Sequence, residues 1–286
     1  MRTLRLAALA GLLWGAAAAQ PSKPHVVFVT GDDEYRSEVS MPMIARILEV
    51  RHGMRTSVAY ARPTPQTNNN VEGLEALESA DLAVFYLRWR NLPDPQMRRI
   101  LDYLAAGRPL VGLRTSTHSF RFPKGHSLER WNDGFGAEVW GQKWIRHHGH
   151  TSTTDVSGVP AQANHPILRG VERSFRAPSW LYVVEPLVGD AVPLLAGRAI
   201  NPQGQDYGPQ PVAWTKTYKG ARVFFTTLGH PDDFRIASMR RLLVNGILWA
   251  LGREVTAGGA AAEPVEPYNP PPSGVPAATT MEKTRK

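Results

Sequence analysis

Cysteine is absent from all 286 residues. That excludes disulfide staples, thiolate metal sites, a cysteine nucleophile and a lipid-modified N-terminal cysteine. The G-x-G-x-x-G and P-loop patterns are missing after the first apolar run, so nucleotide binding has no motif to stand on. G-x-S-x-G is missing too, which leaves Ser116 without the elbow of an acyl-transfer nucleophile. There is no internal repeat, and no segment of the body approaches the ~20 apolar residues of a bilayer span. The net charge is +8, or +6 without Arg2 and Arg5, and it is spread rather than clustered. Such a balance argues against a nucleic acid partner. What is present is an ordinary globular composition, 42% hydrophobic and 20% charged, incompatible with disorder of the whole chain.

The two ends differ from the middle. Arg2 and Arg5 precede an apolar run from Leu6 that closes on Ala17-Ala18-Ala19. This predicts a signal peptide over 1–19, cleaved after Ala19, and an exported protein, periplasmic or extracellular. The run is too short for an uncleaved anchor, so no stable membrane span is expected after processing. At the other end, 255–286 is rich in Ala, Gly and Pro, with six prolines from Pro264 to Pro276. Few large apolar groups offset the entropy of ordering it, which predicts a disordered or extended tail. The folded body is then one domain over 23–254.

Within that body His25–Thr30 is a continuous β-branched and aromatic run ending at Gly31, the pattern of a strand covered on both faces. Ser40 as N-cap and Pro42 at the first helical position predict a helix carrying Met43, Ile44, Ile47 and Leu48. Strands are predicted over Thr56–Tyr60, Asp81–Leu87 and Pro109–Leu113, with a helix from Asp94 to Gly107 between the last two. Alternation of this kind calls for right-handed crossovers and a doubly wound, mostly parallel sheet. Later strands are expected at Trp180–Val184 and Pro193–Ala196. An added β-hairpin turns at Tyr218-Lys219-Gly220, and a closing helix runs from Arg235 to Leu251.

Ligands of open α/β sheets bind beyond the carboxyl ends of the strands, and here those ends are polar. Asp32, Asp33, Glu34 and Arg36 follow the first strand and suit hydrogen bonding to substrate; as a plain turn, the acids would instead cap a helix. Arg88 and Trp89 follow the third strand and suit stacking or anion clamping. Arg114, Thr115 and His118 follow the fourth, with Arg114 at the junction where many α/β enzymes hold a nucleophile. His147, His148 and His150 share one loop, and His230 and Asp232 follow the hairpin. Arg114, His118, His148 and His230 are the catalytic candidates. Asp32, Asp33, Glu34, Arg36, Arg88, Trp89, Thr115, His147, His150 and Asp232 are the substrate-binding ones. Imidazole and carboxylate together would also suit a divalent metal, although H-H-x-H lacks the spacing of a known zinc motif. No other cofactor is implied.

The stretch Pro211–His230, with Trp214, Lys216, Gly220, Phe224, Phe225 and Gly229, resembles the signature of the ThuA-like family, named for trehalose utilisation. Gly31-Asp32-Asp33-Glu34-Tyr35-Arg36, Asn164-His165-Pro166-Ile167 and the ending Gly246-Ile247-Leu248-Trp249-Ala250 are similar as well, so the resemblance spans about 25–252. It implies a flavodoxin-like fold akin to class I glutamine amidotransferases, without their cysteine. That cysteine's place falls at Arg114, where ThuA-like members usually carry histidine. The resemblance also implies work on sugars, including keto-glycosides. The expectation is a lyase, hydrolase or isomerase in which His148 or His118 removes a proton beside a carbonyl while Arg114 or a cation stabilises the oxyanion. The alternative is a saccharide-binding or protein-docking domain of the cell envelope without chemistry.

Overall fold

The first strand sets the logic of the sheet in the computed structural model, which describes residues 23–148, 152–200 and 206–274. β1 (His25–Gly31) is buried at every position, and its alternating side chains serve two cores. Val26 and Phe28 enter one hydrophobic cluster, Val27 and Val29 the other. After it come α1 (Ser37–His52), β2 (Arg55–Ala61), the edge strand β3 (Val71–Glu72), β4 (Leu82–Leu87), α2 (Asp94–Ala105), β5 (Leu110–Leu113) and the short α3 (Trp131–Gly134). The rest is β6 (Arg146–His147), β7 (Thr153–Gly158), β8 (Ser174–Ala177), β9 (Tyr182–Val183), β10 (Val192–Ile200), β11 (Pro209–Tyr218), β12 (Ala221–Thr226) and α4 (Ala237–Ala250).

β2, β1, β4, β5 and β12 lie side by side and run parallel. Met41, Ile44 and Leu48 of α1 and Leu242, Leu243 and Ile247 of α4 cover one face of this centre. Met97, Ile100 and Leu104 of α2, with Phe135 and Trp140, cover the other. The architecture is therefore the expected single α/β domain of flavodoxin-like type. The hairpin is more than an addition. β12 pairs with β5, and β11, β10, β7 and β8 continue the same sheet in antiparallel pairs. Its turn uses Lys219 and Gly220, both at positive φ (48° and 80°), as a two-residue hairpin demands. Among the described residues no helix is long and apolar enough to cross a membrane.

Two expectations need correction. α1 begins at Ser37, because Arg36 takes a left-handed φ of 57° and the Ser37 hydroxyl accepts the N–H groups of Gly31 and Asp32. Pro42 thus sits inside the helix instead of opening it. The strand expected over Trp180–Val184 shrinks to Tyr182–Val183, which pairs with β6 outside the main sheet.

The extension past α4 is extended and keeps contact with the body. Val255, Ala260 and Ala262 are buried against the body. Arg240 Nε donates to the Ala262 carbonyl at 2.9 Å, His52 Nε2 bonds that of Ala261 at 2.8 Å, and Asn245 Oδ1 accepts the Ala260 N–H at 2.9 Å. Small side chains let this backbone lie close enough for polar groups of α1 and α4 to capture it. The extension is therefore laid along the body over 255–274. Residues 275–286 and the leader expected over 1–19 lie outside the described residues.

Candidate functional site

The carboxyl ends of β1, β4, β5 and β12 meet at one edge. The Arg88 N–H donates to the Gly31 carbonyl, Tyr86 Oη to the Gly229 carbonyl, and Arg114 Nη1 to the Thr227 carbonyl. The separated segments named from the sequence do converge.

The acids there are already engaged. Asp32 is buried, accepts the N–H groups of Glu34 (2.7 Å) and Tyr35 (3.1 Å), and takes the Thr115 hydroxyl at 2.5 Å. Burial pushes its pKa up. Asp32 and Thr115 therefore fix the turn instead of facing a substrate. Asp33 lies 3.4 Å from guanidinium nitrogens of both Arg88 and Arg90, and Glu34 pairs with Arg88 Nε at 2.9 Å. Arg88 in turn stacks 3.8 Å over Trp89. Ser116 is spent as well, donating to the Phe85 carbonyl and accepting from the Leu87 N–H.

Arg114 stands at the centre. Its φ of 41° makes the strand-to-turn junction a left-handed elbow, and its side chain is fully buried. Nη1 donates to the carbonyls of Trp180 (3.2 Å) and Thr227 (3.0 Å), and Nη2 to Tyr35 Oη (3.1 Å). The guanidinium lies between the rings of Tyr35 (4.2 Å) and Tyr182 (4.5 Å), and its Nε has no partner. Burial works against its charge, but an arginine keeps its proton in a protein, and two carbonyls and the Tyr35 hydroxyl accept from it, so it stays cationic. Burial likewise holds the Tyr182 and Tyr86 phenols neutral.

On the far side of Tyr182 a group of partly exposed rings forms a candidate cleft. His118 lies 5.5 Å from Trp89, 5.2 Å from Trp144 and 6.3 Å from Tyr182. His147 lies 6.0 Å from Trp144, 5.3 Å from Trp180 and 6.3 Å from Tyr182. The two imidazoles and three tryptophans are all partly exposed. Burial, reinforced by the charges of Arg88, Arg114 and His147, holds the His118 pKa well below 6.5. The tautomer follows from Thr117. Its hydroxyl donates to the Arg114 carbonyl at 3.1 Å, so it accepts from His118 Nδ1–H, also at 3.1 Å. The Nε2 lone pair is left for the cleft.

His230 carries its proton on the other nitrogen. Nδ1 accepts the Asp232 N–H at 3.2 Å, so Nε2 is protonated and meets the Ser273 hydroxyl at 2.8 Å. Its ring meets Tyr35 edge-on at 6.1 Å. Asp232 pairs with Arg235 at 2.8 Å and is half exposed. Arg36 donates to the Asp33 carbonyl and to the tail.

His148 is not brought to this cluster. β6 and β9 pair His147 with Tyr182, and adjacent strand residues point to opposite faces. His148 therefore turns away, buried and stacked 4.2 Å from Tyr207. His150 lies outside the described residues. Among the described residues, no three His, Asp or Glu side chains are grouped to hold a metal ion.

Tyr35, Tyr182, Trp144 and Trp180, which build the cradle and the candidate cleft, are not among the candidates the sequence offers. Neither is Asp233, which ties Ser179 Oγ (2.5 Å) and the N–H groups of Gly229 and His230. The density of aromatics beside the chosen histidines was the available signal.

A family model described as ThuA, trehalose utilisation, matches residues 19–250. The structure is similar to that of a ThuA-like protein from Bacteroides uniformis, at 17% identity and a TM-score of 0.58, covering 84% of this chain and 97% of that one. It is also similar to a ThuA-like protein from Parabacteroides merdae, at 16% identity and a TM-score of 0.56, covering 85% and 98%. At such identities the likeness is one of fold. None of the curated proteins compared matches the chain.

Proposed function

The chain belongs to the family described as ThuA, trehalose utilisation, and on that premise we propose that it is an exported enzyme acting on carbohydrates, with a keto-sugar or glycoside as substrate. The observation that carries the reading is the His118 tautomer. A neutral imidazole offers its Nε2 lone pair to a cleft walled by Trp89, Trp144 and Trp180, with the fixed cation of Arg114 behind Tyr182. Partly exposed indoles suit the apolar faces of sugar rings.

In the proposed step His118 Nε2 takes the proton from the carbon beside the substrate's carbonyl. The C–H electron pair moves into the enolate, whose negative charge the field of Arg114 favours. The enolate then re-forms the carbonyl, its electron pair making a C=C bond as the C–O bond to the glycosidic oxygen breaks, and the same imidazolium gives its proton to that departing oxygen. Tyr35 accepts from Arg114 and so keeps its own hydroxyl proton to donate.

The test is turnover of 3-keto-glycosides by wild type and His118→Gln. Loss of about 10²–10⁴-fold is expected on removing the base. Equal rates overturn the catalytic assignment. Tight calorimetric binding of sugars that stay intact would favour a saccharide-binding domain, which the tryptophan-lined cleft also suits.

A further inference from the structure

The C-terminal extension has two halves of different character. Up to Ala262 it is anchored by buried alanines. From 264 to 274 none of its residues is buried, and five are prolines. This outer half spans a cavity of about 320 Å³ against Pro42, Met43 and Arg46 of α1, so part of its underside lacks packing partners.

It comes down on the rim of the candidate site. Tyr268 Oη donates to the Pro231 carbonyl at 3.1 Å. Arg36 donates from Nε to the Pro272 carbonyl and from Nη2 to that of Gly274, each at 2.9 Å. The Gly274 N–H donates to the Glu34 carbonyl at 2.8 Å. The Ser273 hydroxyl receives the His230 Nε2 proton at 2.8 Å. Residues 272–274 thus present to the rim one hydroxyl, two carbonyl oxygens and one N–H. A saccharide diol could supply the same set: oxygens that accept from His230 and Arg36, and a hydroxyl proton that goes to the Glu34 carbonyl.

We propose that His230 Nε2–H, the Arg36 guanidinium and the Glu34 carbonyl form a hydroxyl-binding subsite of the carbohydrate site. Ser273–Gly274 fills it in cis, so that saccharide and strap compete. The proposal rests on the carbohydrate reading above. The strap can leave without unfolding the body, because its contacts are partly exposed while the anchored half holds the chain nearby.

The test uses full-length wild type and Ser273→Ala, with trehalose and methyl α-glucoside as probes. Calorimetry should give about fivefold tighter binding to Ser273→Ala, the equivalent of one net hydrogen bond withdrawn from the competitor. Saturating sugar should speed hydrogen exchange of the Gly274 amide about tenfold while β1 amides stay protected. Equal affinities together with an unchanged Gly274 amide overturn the competition but leave the carbohydrate reading standing. If neither protein binds these sugars or a 3-keto-glycoside, the reading falls and the subsite with it.

Discussion

His118 must stay uncharged if it is to act as a base, and its surroundings make that requirement measurable as stability. Its pKa is held well below 6.5 by burial and by Arg88, Arg114 and His147, whereas in the unfolded chain it returns to about 6.5. Below that value the unfolded state binds a proton that the folded state refuses, so stability falls as pH falls. Between pH 7 and pH 5 the unfolded imidazole gains about three quarters of a proton, and the stability lost over that interval is about 2 kcal/mol. For a body of this size that corresponds to about 4–8 °C in Tm. His25, His148, His165 and His230 are shifted downward too, each mainly by burial. Wild type alone would therefore show a larger, mixed effect. The assay is urea denaturation of wild type and His118→Gln at both pH values, since the other histidines are common to the pair and cancel. Wild type should lose about 2 kcal/mol more than the variant. Parallel losses would mean that His118 accepts charge in place, and the reasoning about its neutrality would be refuted.

Three further outcomes follow from the packing. A Cβ at Gly112 would lie 2.6 Å from Phe225 and 2.9 Å from Trp140, so Gly112→Ala should cost about 1–3 kcal/mol by overpacking in chemical denaturation; an unchanged midpoint would show that those rings give way. Asp33→Ala removes the carboxylate shared by Arg88 and the nearly buried Arg90, and should cost about 3 kcal/mol; a loss under about 1 kcal/mol would show that backbone carbonyls satisfy Arg90 alone. In Arg114→Met the lost charge-assisted bonds and the relieved burial of a cation oppose one another, so stability should move by less than about 2 kcal/mol. Turnover of a 3-keto-glycoside should drop about 10²-fold or more. A collapse in stability with turnover retained would make Arg114 a structural residue.

β1, β4, β5 and β12 were legible because burial on both faces writes continuous apolar runs between Gly, Pro and Asp. β7 and β8 were not: Thr153–Gly158 and Ser174–Ala177 are largely polar and half exposed, so neither carries a strand's hydrophobic signature. The path of the tail along the body was not legible for a related reason. The tail is held through its carbonyls by Arg240, His52 and Arg51, contacts that composition does not encode. At the site, topology correctly gathered the strand ends, but two adjacent histidines could not be told apart. Which of His147 and His148 faces the cleft depends on the pairing of β6 with β9, a strand of two residues. The acids were legible as a cluster while their use was not, because Arg88, Arg90 and Thr115 reach Asp32 and Asp33 from other strands.

The elbow at Arg114 ties these parts into one device. A non-glycine residue at φ 41° carries strain of about 1–2 kcal/mol, and something must hold it there. The guanidinium bonds to Trp180 and Thr227 pull from one side, and Thr115 on Asp32 pins the next residue. Many α/β enzymes hold a nucleophile on such a strand-to-turn elbow, but a guanidinium cannot attack, so here the elbow presents a charge. Its carbonyl takes the Thr117 hydroxyl, and that same hydroxyl, its proton spent, dictates the proton on His118 Nδ1. The strained turn therefore sets the tautomer of His118, the base proposed above, as well as the place of the cation. Relaxing it would release both together, so the geometry of Arg114 governs that of His118.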